Sequence, residues 1–380
     1  QKTDYEFDQP TLQKIYDKWN NQGLKIYSNS YYVVVSVRGQ NNREKLNQCC
    51  NYIESILSAY KPELLKNNST DNMATFFGRV LSPVTKPIVK KCDENISSLV
   101  CVDDVEFGKD GIITYSSGDK KYYAAALSFK ISPDYMDEEF FDTVATIQCE
   151  MICMNGFHIL KSSDIDAWMR QHRSTMTDET EESTLEQISE AQSSMDENKT
   201  GNQTLVDYYP LFILFGKDID ELNGYVDEFK KISAEFGISP VVESFASKVS
   251  FFAQLPGFDM FPRIFKMLSK TAAISIPLSS MPTGVKNCDW GPGPIVVFPT
   301  AQGTPYQFQF HVSDKPAAVG HTRTIGPTGG GKTTLFSFLI SQSLRHQKLK
   351  AFFFDRNKGA EIFTLAIGGK YIKMNGKEKD

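Results

Sequence analysis

One run of residues has the types and the spacing of a phosphate-binding loop. Gly326-Pro-Thr-Gly-Gly-Gly-Lys332-Thr333 fits the pattern G-x-x-x-x-G-K-[ST] without a mismatch. Small residues let consecutive backbone N–H groups curl around an anion, and the N-terminus of a following helix adds a favourable dipole. The chemistry that this pattern predicts is the binding of nucleotide phosphates, with ATP as the expected ligand.

Each residue type in the loop has a predicted role. Lys332 should reach the β- and γ-phosphates, and the hydroxyl of Thr333 should bind Mg²⁺. We therefore predict Lys332 and Thr333 as the catalytic residues and Thr333 as the metal ligand. The predicted ATP-binding residues are Gly326, Pro327, Thr328, Gly329, Gly330, Gly331, Lys332, Thr333 and Thr334.

The loop needs a strand before it and a helix behind it. Thr322–Ile325 has the composition of a short strand, and the run from Thr334 to Leu344 is typical of an apolar helix. Ala351-Phe-Phe-Phe-Asp355 then predicts a buried strand that ends in an acid. For Asp355 two interpretations stay open, a structural or capping role and a role in the site.

Other polar residues near the loop allow two interpretations each. His311 and His321 flank the approach to it, either as satisfied polar residues near a sheet edge or as contacts for adenine or a neighbouring subunit. Arg263 is either a surface salt-bridge partner or an interface residue. No apolar strand ending in Asp-Glu follows residue 355, so we expect this chain to bind ATP but to hydrolyse it poorly.

Upstream of the loop, strand-like and helical patterns alternate. The predicted strands are 31–37, 111–115, 122–131, 151–160, 208–215, 295–298 and 306–310. The predicted helices are 43–60, 138–150 and 218–236, with a long polar helical stretch over 162–197. These patterns predict an α/β fold in which an N-terminal mixed α/β domain with a mixed sheet, residues 1–285, precedes the start of a RecA-like P-loop domain, residues 286–380.

Composition limits the classes of function. The chain has 380 residues, 41% of them hydrophobic, which is enough for more than one core. The formal net charge is −5 and no dense block of Lys and Arg occurs, so nucleic acid is not indicated as a partner. No apolar run approaches the roughly 20 residues that span a bilayer. Because the first residue is Gln1 and the last is Asp380 in a charged tail, we expect a fragment of a longer protein.

Several segments together resemble one protein family. Gly303-Thr-Pro-Tyr-Gln-Phe-Gln-Phe-His311, Val319-Gly-His321 and the loop itself are similar to the conjugal-transfer and type IV secretion ATPases of the TrbE/CagE type. So are the runs 354–363 and 368–371, and upstream Phe251-Phe-Ala-Gln-Leu-Pro-Gly257, Arg263 and Trp290-Gly291. The similarity is sharp over roughly residues 250–373 and diffuse before them.

This resemblance implies an oligomeric ATPase, often a hexamer, at the cytoplasmic face of the bacterial inner membrane. There it would contact other inner-membrane components of the secretion system and energise channel assembly or substrate transport. By the same resemblance, Gly326 to Thr334 bind nucleotide, and Asp355, Lys358 and Gly359 match a family segment. The chain departs from the family in lacking part of its N-terminus and in ending before its catalytic acids, so hydrolysis is expected of the parent protein.

Two rival hypotheses stay open. One is a DNA-pumping P-loop translocase, which shares this motor type and which DNA-stimulated hydrolysis would support. The other is a scaffold subunit whose N-terminal domain docks membrane components while ATP serves as a structural ligand. Under the scaffold hypothesis Lys332→Ala would leave complex assembly and secretion intact.

Overall fold

The chain forms two compact units in this computed structural model. One unit is Ser30–Ser279, and the other combines Gln1–Asn29 with Ser280–Asp380. The predicted domain limits, 1–285 and 286–380, stay a prediction, and the observed units differ from them in grouping residues 1–29 with the later segment. The described residues are 7–20, 29–37, 39, 41–65, 72–90, 95–131, 136–161, 163–165, 167, 170, 204–258, 260–276, 283–300, 303–311, 320–346, 349–355 and 358–373.

Helices and strands are distributed over both units. The α-helices are α1 Pro10–Asn20, α2 Asn42–Ile56, α3 Asn72–Leu81, α4 Ile96–Val100, α5 Glu138–Val144, α6 Ile219–Glu235, α7 Ser247–Ala253, α8 Ser269–Ile274, α9 Lys332–Ser343 and α10 Glu361–Ala366, with a 3-10 turn at Ser58–Tyr60. The strands are β1 Asp104–Phe107, β2 Ile112–Ser117, β3 Lys120–Phe129, β4 Glu150–Ile159, β5 Leu205–Gly216, β6 Pro240–Val242, β7 Phe265–Leu268, β8 Val296–Pro299 and β9 Pro305–Phe308.

A seven-stranded sheet organises the unit 30–279. Its order is β1-β2-β3-β5-β4, with β6 paired to β3 and β7 paired to β5. Every pairing between these strands is antiparallel. The α/β class is therefore confirmed, whereas the predicted mixed sheet is wrong for the described strands. The strand-then-helix order of the sequence suggested parallel crossovers, but here successive strands return through turns and short connections.

Apolar side chains of β5 alternate between the two faces of this sheet. Tyr208, Phe212 and Leu214 belong to one core, which α5, α6 and α8 cover. Leu211, Ile213 and Phe215 belong to the other core, which α3, α4 and α7 cover. Because helices cover both faces, the sequence of β5 is a near-continuous apolar run rather than an alternating one.

The start of α6 is fixed by its sequence. Asp218 is the N-cap residue, and its carboxylate accepts the backbone N–H of Glu221 at 2.7 Å. Gly216, the last residue of β5, lies so close to the helix that an added β-carbon would be 2.8 Å from the backbone nitrogen of Leu222. The helix predicted over 218–236 is confirmed by this arrangement.

The unit that holds the loop contains a small hairpin and three helices among its described residues. β8 and β9 pair with each other in antiparallel register, close to the predicted strands 295–298 and 306–310. The helix α9 follows the loop directly, which confirms the helix predicted from Thr334 to Leu344. The N-terminal helix α1 packs on it, and Trp19 of α1 contacts Phe338 of α9.

Three predicted strands are wrong. Residues 31–37, 322–325 and 351–355 are extended, but none of them is part of a strand among the described residues. Phe352 and Phe354, predicted to be buried, are 81% and 88% exposed. β-branched and aromatic runs predict strands only where partner strands complete the backbone hydrogen bonds. Of the predicted helical stretch 162–197, all but residues 163–165, 167 and 170 lies outside the described residues.

The remaining predicted elements are confirmed with shifted bounds. The hairpin is β2 and β3, the strand predicted at 151–160 is β4, and the helix predicted over 43–60 is α2 followed by the 3-10 turn. The helix predicted over 138–150 is shorter, ending at Val144. Among the described helices, none has the length and the apolar composition that crossing a bilayer requires.

Candidate functional site

The loop from Gly326 to Gly331 is exposed and tightly curled. Gly329 and Gly331 have φ angles of 81° and 80°, which lie in the left-handed region that favours glycine. The N–H of Gly330 donates to the carbonyl of Pro327 at 3.1 Å. A β-carbon on Gly330 would lie 3.1 Å from that same oxygen, so a larger residue would crowd the turn. Glycines at these positions are therefore required by the backbone itself.

Lys332 closes the curl of the loop. Its ammonium donates to the carbonyl oxygens of Gly326 and Pro327, at 2.7 Å each. It is also the first residue of the 12-residue helix α9, whose unpaired N–H groups face the loop. A cation, free backbone donors and the positive end of a helix dipole thus converge on one exposed turn.

All nine predicted site residues lie in this one turn and the start of α9. Lys332 is partly buried, and the others are exposed: Gly326, Pro327, Thr328, Gly329, Gly330, Gly331, Thr333 and Thr334. The structure therefore brings the predicted residues together, as their adjacency in sequence requires. Their roles toward a ligand stay predictions. The residues fit a nucleotide phosphate, because the curl is open to solvent and its free groups are donors.

A second segment approaches Thr333. A β-carbon built on Gly359 would lie 3.4 Å from Cγ2 and 3.8 Å from Oγ1 of Thr333. Asp355 precedes this segment, and its carboxylate accepts the N–H of Ala360 at 2.8 Å. Asp355 thus has the structural role that was one of its two predicted interpretations, and it holds the backbone beside the site. Sequence places Gly359 near Asp355 but gives no signal of its contact with Thr333.

The far end of α9 is anchored by residues that sequence reasoning missed as partners. Arg345 donates from Nη2 to the carbonyl of Pro294. His346 is 7% exposed and lies against Gly291, where an added β-carbon would be 2.9 Å from its Nδ1. Burial lowers the pKa of His346 below its usual value, and the neighbouring Arg345 guanidinium lowers it further. The Trp290–Pro294 turn therefore fixes the helix that carries the loop.

The two predicted flanking histidines have different surroundings. His311 lies against the indole of Trp290 with ring centroids 5.5 Å apart, and its Nδ1 is 4.0 Å from a carboxylate oxygen of Asp289. This placement agrees with a satisfied polar residue. His321 is exposed. In the other unit, Arg263 pairs with the buried Glu243 at 2.7 Å, so its predicted salt bridge is confirmed.

Comparison with known sequences identifies a class of transport-system component. Residues 31–264 match the CagE, TrbE, VirB family, described as a component of type IV transporter system. Because this match covers more than half of the 380 residues, the chain belongs to that family. The matched region ends before Gly326, so the family assignment and the loop are independent observations on different segments of the chain.

Three curated relatives carry related names. The type IV secretion system protein virB4 of Bartonella henselae is 28% identical over 286 residues, covering 74% of this chain and 35% of the relative. The virB4 protein of Brucella abortus (strain 2308) is 24% identical over 270 residues, covering 67% and 32%. A probable conjugal transfer protein TrbE of Sinorhizobium fredii is 30% identical over 175 residues, covering 44% and 26%. The chain spans about a third of the length of these virB4 relatives.

Proposed function

We propose that this chain is the nucleotide-binding portion of an ATPase subunit of a bacterial type IV secretion or conjugation system. The observation that carries the proposal is the exposed glycine loop whose carbonyls hold the Lys332 ammonium at the start of α9. Membership of a family of type IV transporter components supports the setting, and it rests on residues outside the loop. Residues 286–380 would form the beginning of a RecA-like domain.

The residues of the loop would divide the work of holding ATP. The Lys332 ammonium would exchange its contacts with the carbonyls of Gly326 and Pro327 for the β- and γ-phosphate oxygens. The backbone N–H groups from Gly329 to Thr334 would donate to the phosphates, and the hydroxyl of Thr333 would bind Mg²⁺. The bound Mg²⁺ would neutralise phosphate charge, which a chain of net charge −5 otherwise repels at long range.

Hydrolysis belongs, in this proposal, to the longer parent protein. The relatives named virB4 are about three times as long as the region that matches this chain. Such a reaction needs a carboxylate that orients the attacking water, and no second apolar run ending in such an acid follows residues 351–354 in this sequence. The parent would work as a homo-oligomer, such as a hexamer, with other secretion-system components at the cytoplasmic face of the inner membrane.

The test is a substitution in the intact protein in its own host. Lys332→Ala should abolish transfer of the secreted or conjugated substrate, while the variant protein still accumulates and still co-purifies with its secretion-system partners. Lys370→Ala, which changes an exposed lysine of the same unit, is the matched control and should transfer normally. Normal transfer by Lys332→Ala would reject the motor proposal and favour the scaffold, in which nucleotide has at most a structural role.

A further inference from the structure

The segment after Asp355 lies against the residue that would bind the metal ion. Gly359 faces Thr333, since a β-carbon at position 359 would be in ordinary contact with the Thr333 methyl group, at 3.4 Å, and near its hydroxyl, at 3.8 Å. Thr333 is β-branched, so its methyl and hydroxyl groups move together when the side chain changes rotamer. A fixed surface beside the methyl group therefore also fixes the direction of the hydroxyl.

The backbone at Gly359 is held by a hydrogen bond and by an unusual conformation. The carboxylate of Asp355 accepts the N–H of Ala360 at 2.8 Å. Lys358, the residue before Gly359, has a φ angle of 58°, in the left-handed region that non-glycine residues rarely adopt. Such a conformation costs free energy and persists where neighbouring interactions hold it. The Asp355–Ala360 hydrogen bond spans this residue and is the interaction placed to do so.

We propose that Asp355 is a positioning residue for Mg²⁺ binding, acting through the turn Lys358–Ala360 on the rotamer of Thr333. The inference rests on the proposed nucleotide function and adds a specific role for a residue outside the loop. Mg²⁺ demands near-ideal octahedral geometry, so a small rotation of one protein ligand weakens it selectively. The phosphate contacts of the loop backbone and Lys332 do not pass through this turn.

Two substitutions of Asp355 separate this role from direct contact with the ion. Asp355→Ala removes the acceptor for the Ala360 N–H, whereas Asp355→Asn keeps an acceptor oxygen and removes the charge. Binding of a fluorescent ATP analogue to the full chain is measured with EDTA and then over a series of Mg²⁺ concentrations. Glu361→Ala is the matched control, because it removes a carboxylate of the same region that contacts Lys373 at 3.1 Å instead.

The expected result is a selective shift. Asp355→Ala should raise the Mg²⁺ concentration for half-maximal binding about three- to tenfold, the worth of one hydrogen bond, and leave affinity in EDTA unchanged. Asp355→Asn and Glu361→Ala should behave like the wild type. Equal impairment of the Ala and Asn variants would overturn the inference, because the charge itself would then matter. An unchanged Ala variant would overturn it as well.

A second pair of variants tests whether the effect passes through the Thr333 methyl group. Thr333→Ser keeps the hydroxyl and removes the methyl that Gly359 faces, so it should shift the Mg²⁺ dependence in the same direction. Adding Asp355→Ala to Thr333→Ser should then cause little further change. Fully additive effects would overturn the inference alone. Failure of the wild type to bind nucleotide under any condition would instead overturn the proposed function, and the inference with it.

Discussion

The indole of Trp19 lies 4.8 Å from the ring of Phe338, joining the N-terminal helix α1 to the helix that begins at Lys332. Trp19 also approaches Phe298 of β8, with centroids 5.9 Å apart. Leu12 and Tyr16 of α1 are buried on the same side of the helix, four residues apart. The helix α1 is therefore a structural component of the unit that holds the loop, although it stands more than 300 residues before it in the sequence.

Loss of this aromatic contact should loosen α9. Trp19→Ala removes two ring contacts from a partly buried site, so it should destabilise the unit by about 2 kcal/mol. Trp19→Phe keeps one ring and should cost less. Hydrogen exchange measured by mass spectrometry should speed up in peptides of α9 but not in peptides of β5. Unchanged exchange in α9 would show that the contact with α1 contributes nothing to its stability.

Acid should destabilise the same unit through His346. Because the pKa of His346 in the folded chain lies below the usual value of 6.5, protonation favours the unfolded state. Its contribution to stability is thus complete above pH 6.5 and is lost as the pH falls toward the folded-state pKa, at up to about 1.4 kcal/mol per pH unit. Thermal unfolding between pH 7 and 5 should be steeper for the wild type than for His346→Gln. His321→Gln, at an exposed position, should keep the wild-type profile.

The ion pair between Glu243 and Arg263 should contribute to the sheet unit mainly by keeping a buried carboxylate satisfied. Glu243 is 5% exposed and also accepts a hydrogen bond from Ser128. Arg263→Ala leaves the carboxylate with less compensation, at a cost of about 1–3 kcal/mol. The double variant Glu243→Gln, Arg263→Ala should recover some of that loss in urea denaturation. A neutral Arg263→Ala would mean that Ser128 alone suffices.

Two glycines of the same unit should respond to alanine in opposite directions. Gly216→Ala would place a β-carbon 2.8–2.9 Å from backbone and side-chain atoms of Leu222, so the junction of β5 and α6 must shift, costing about 1–3 kcal/mol. Gly224, inside α6, has open space where its β-carbon would be, and alanine there should stabilise by roughly 0.5–1 kcal/mol. Denaturation midpoints that move the same way for both would contradict this assignment.

Local signals were enough to predict the elements that depend on neighbours in sequence. The loop, the helix after it, the Asp218 cap and the hairpin of β2 and β3 are each encoded within about a dozen residues. The predicted site residues meet because they are consecutive, so their placement needed no knowledge of the fold. Their chemistry toward ATP is still inferred from residue types and not from a contact.

Relationships between distant residues could not be predicted in this way. Residues 31–37 and 351–355 have strand composition, but a strand also needs partner strands, which local sequence does not specify. The approach of Gly359 to Thr333 and of Trp19 to Phe338 depends on how the chain returns to α9. The antiparallel order of the large sheet likewise depends on which strands pair, and alternation of residue types leaves that open.

The most direct test of the central claim is the binding of ATP by the purified chain, measured by isothermal titration calorimetry with Mg²⁺ present. The wild type should bind one ATP per chain, and Lys332→Ala should lower the affinity at least tenfold, since it removes the cation that the loop holds at 2.7 Å. Circular dichroism of both proteins should be the same. Equal binding by the two proteins, or none by the wild type, would contradict the assignment of residues 326–334 as a nucleotide site.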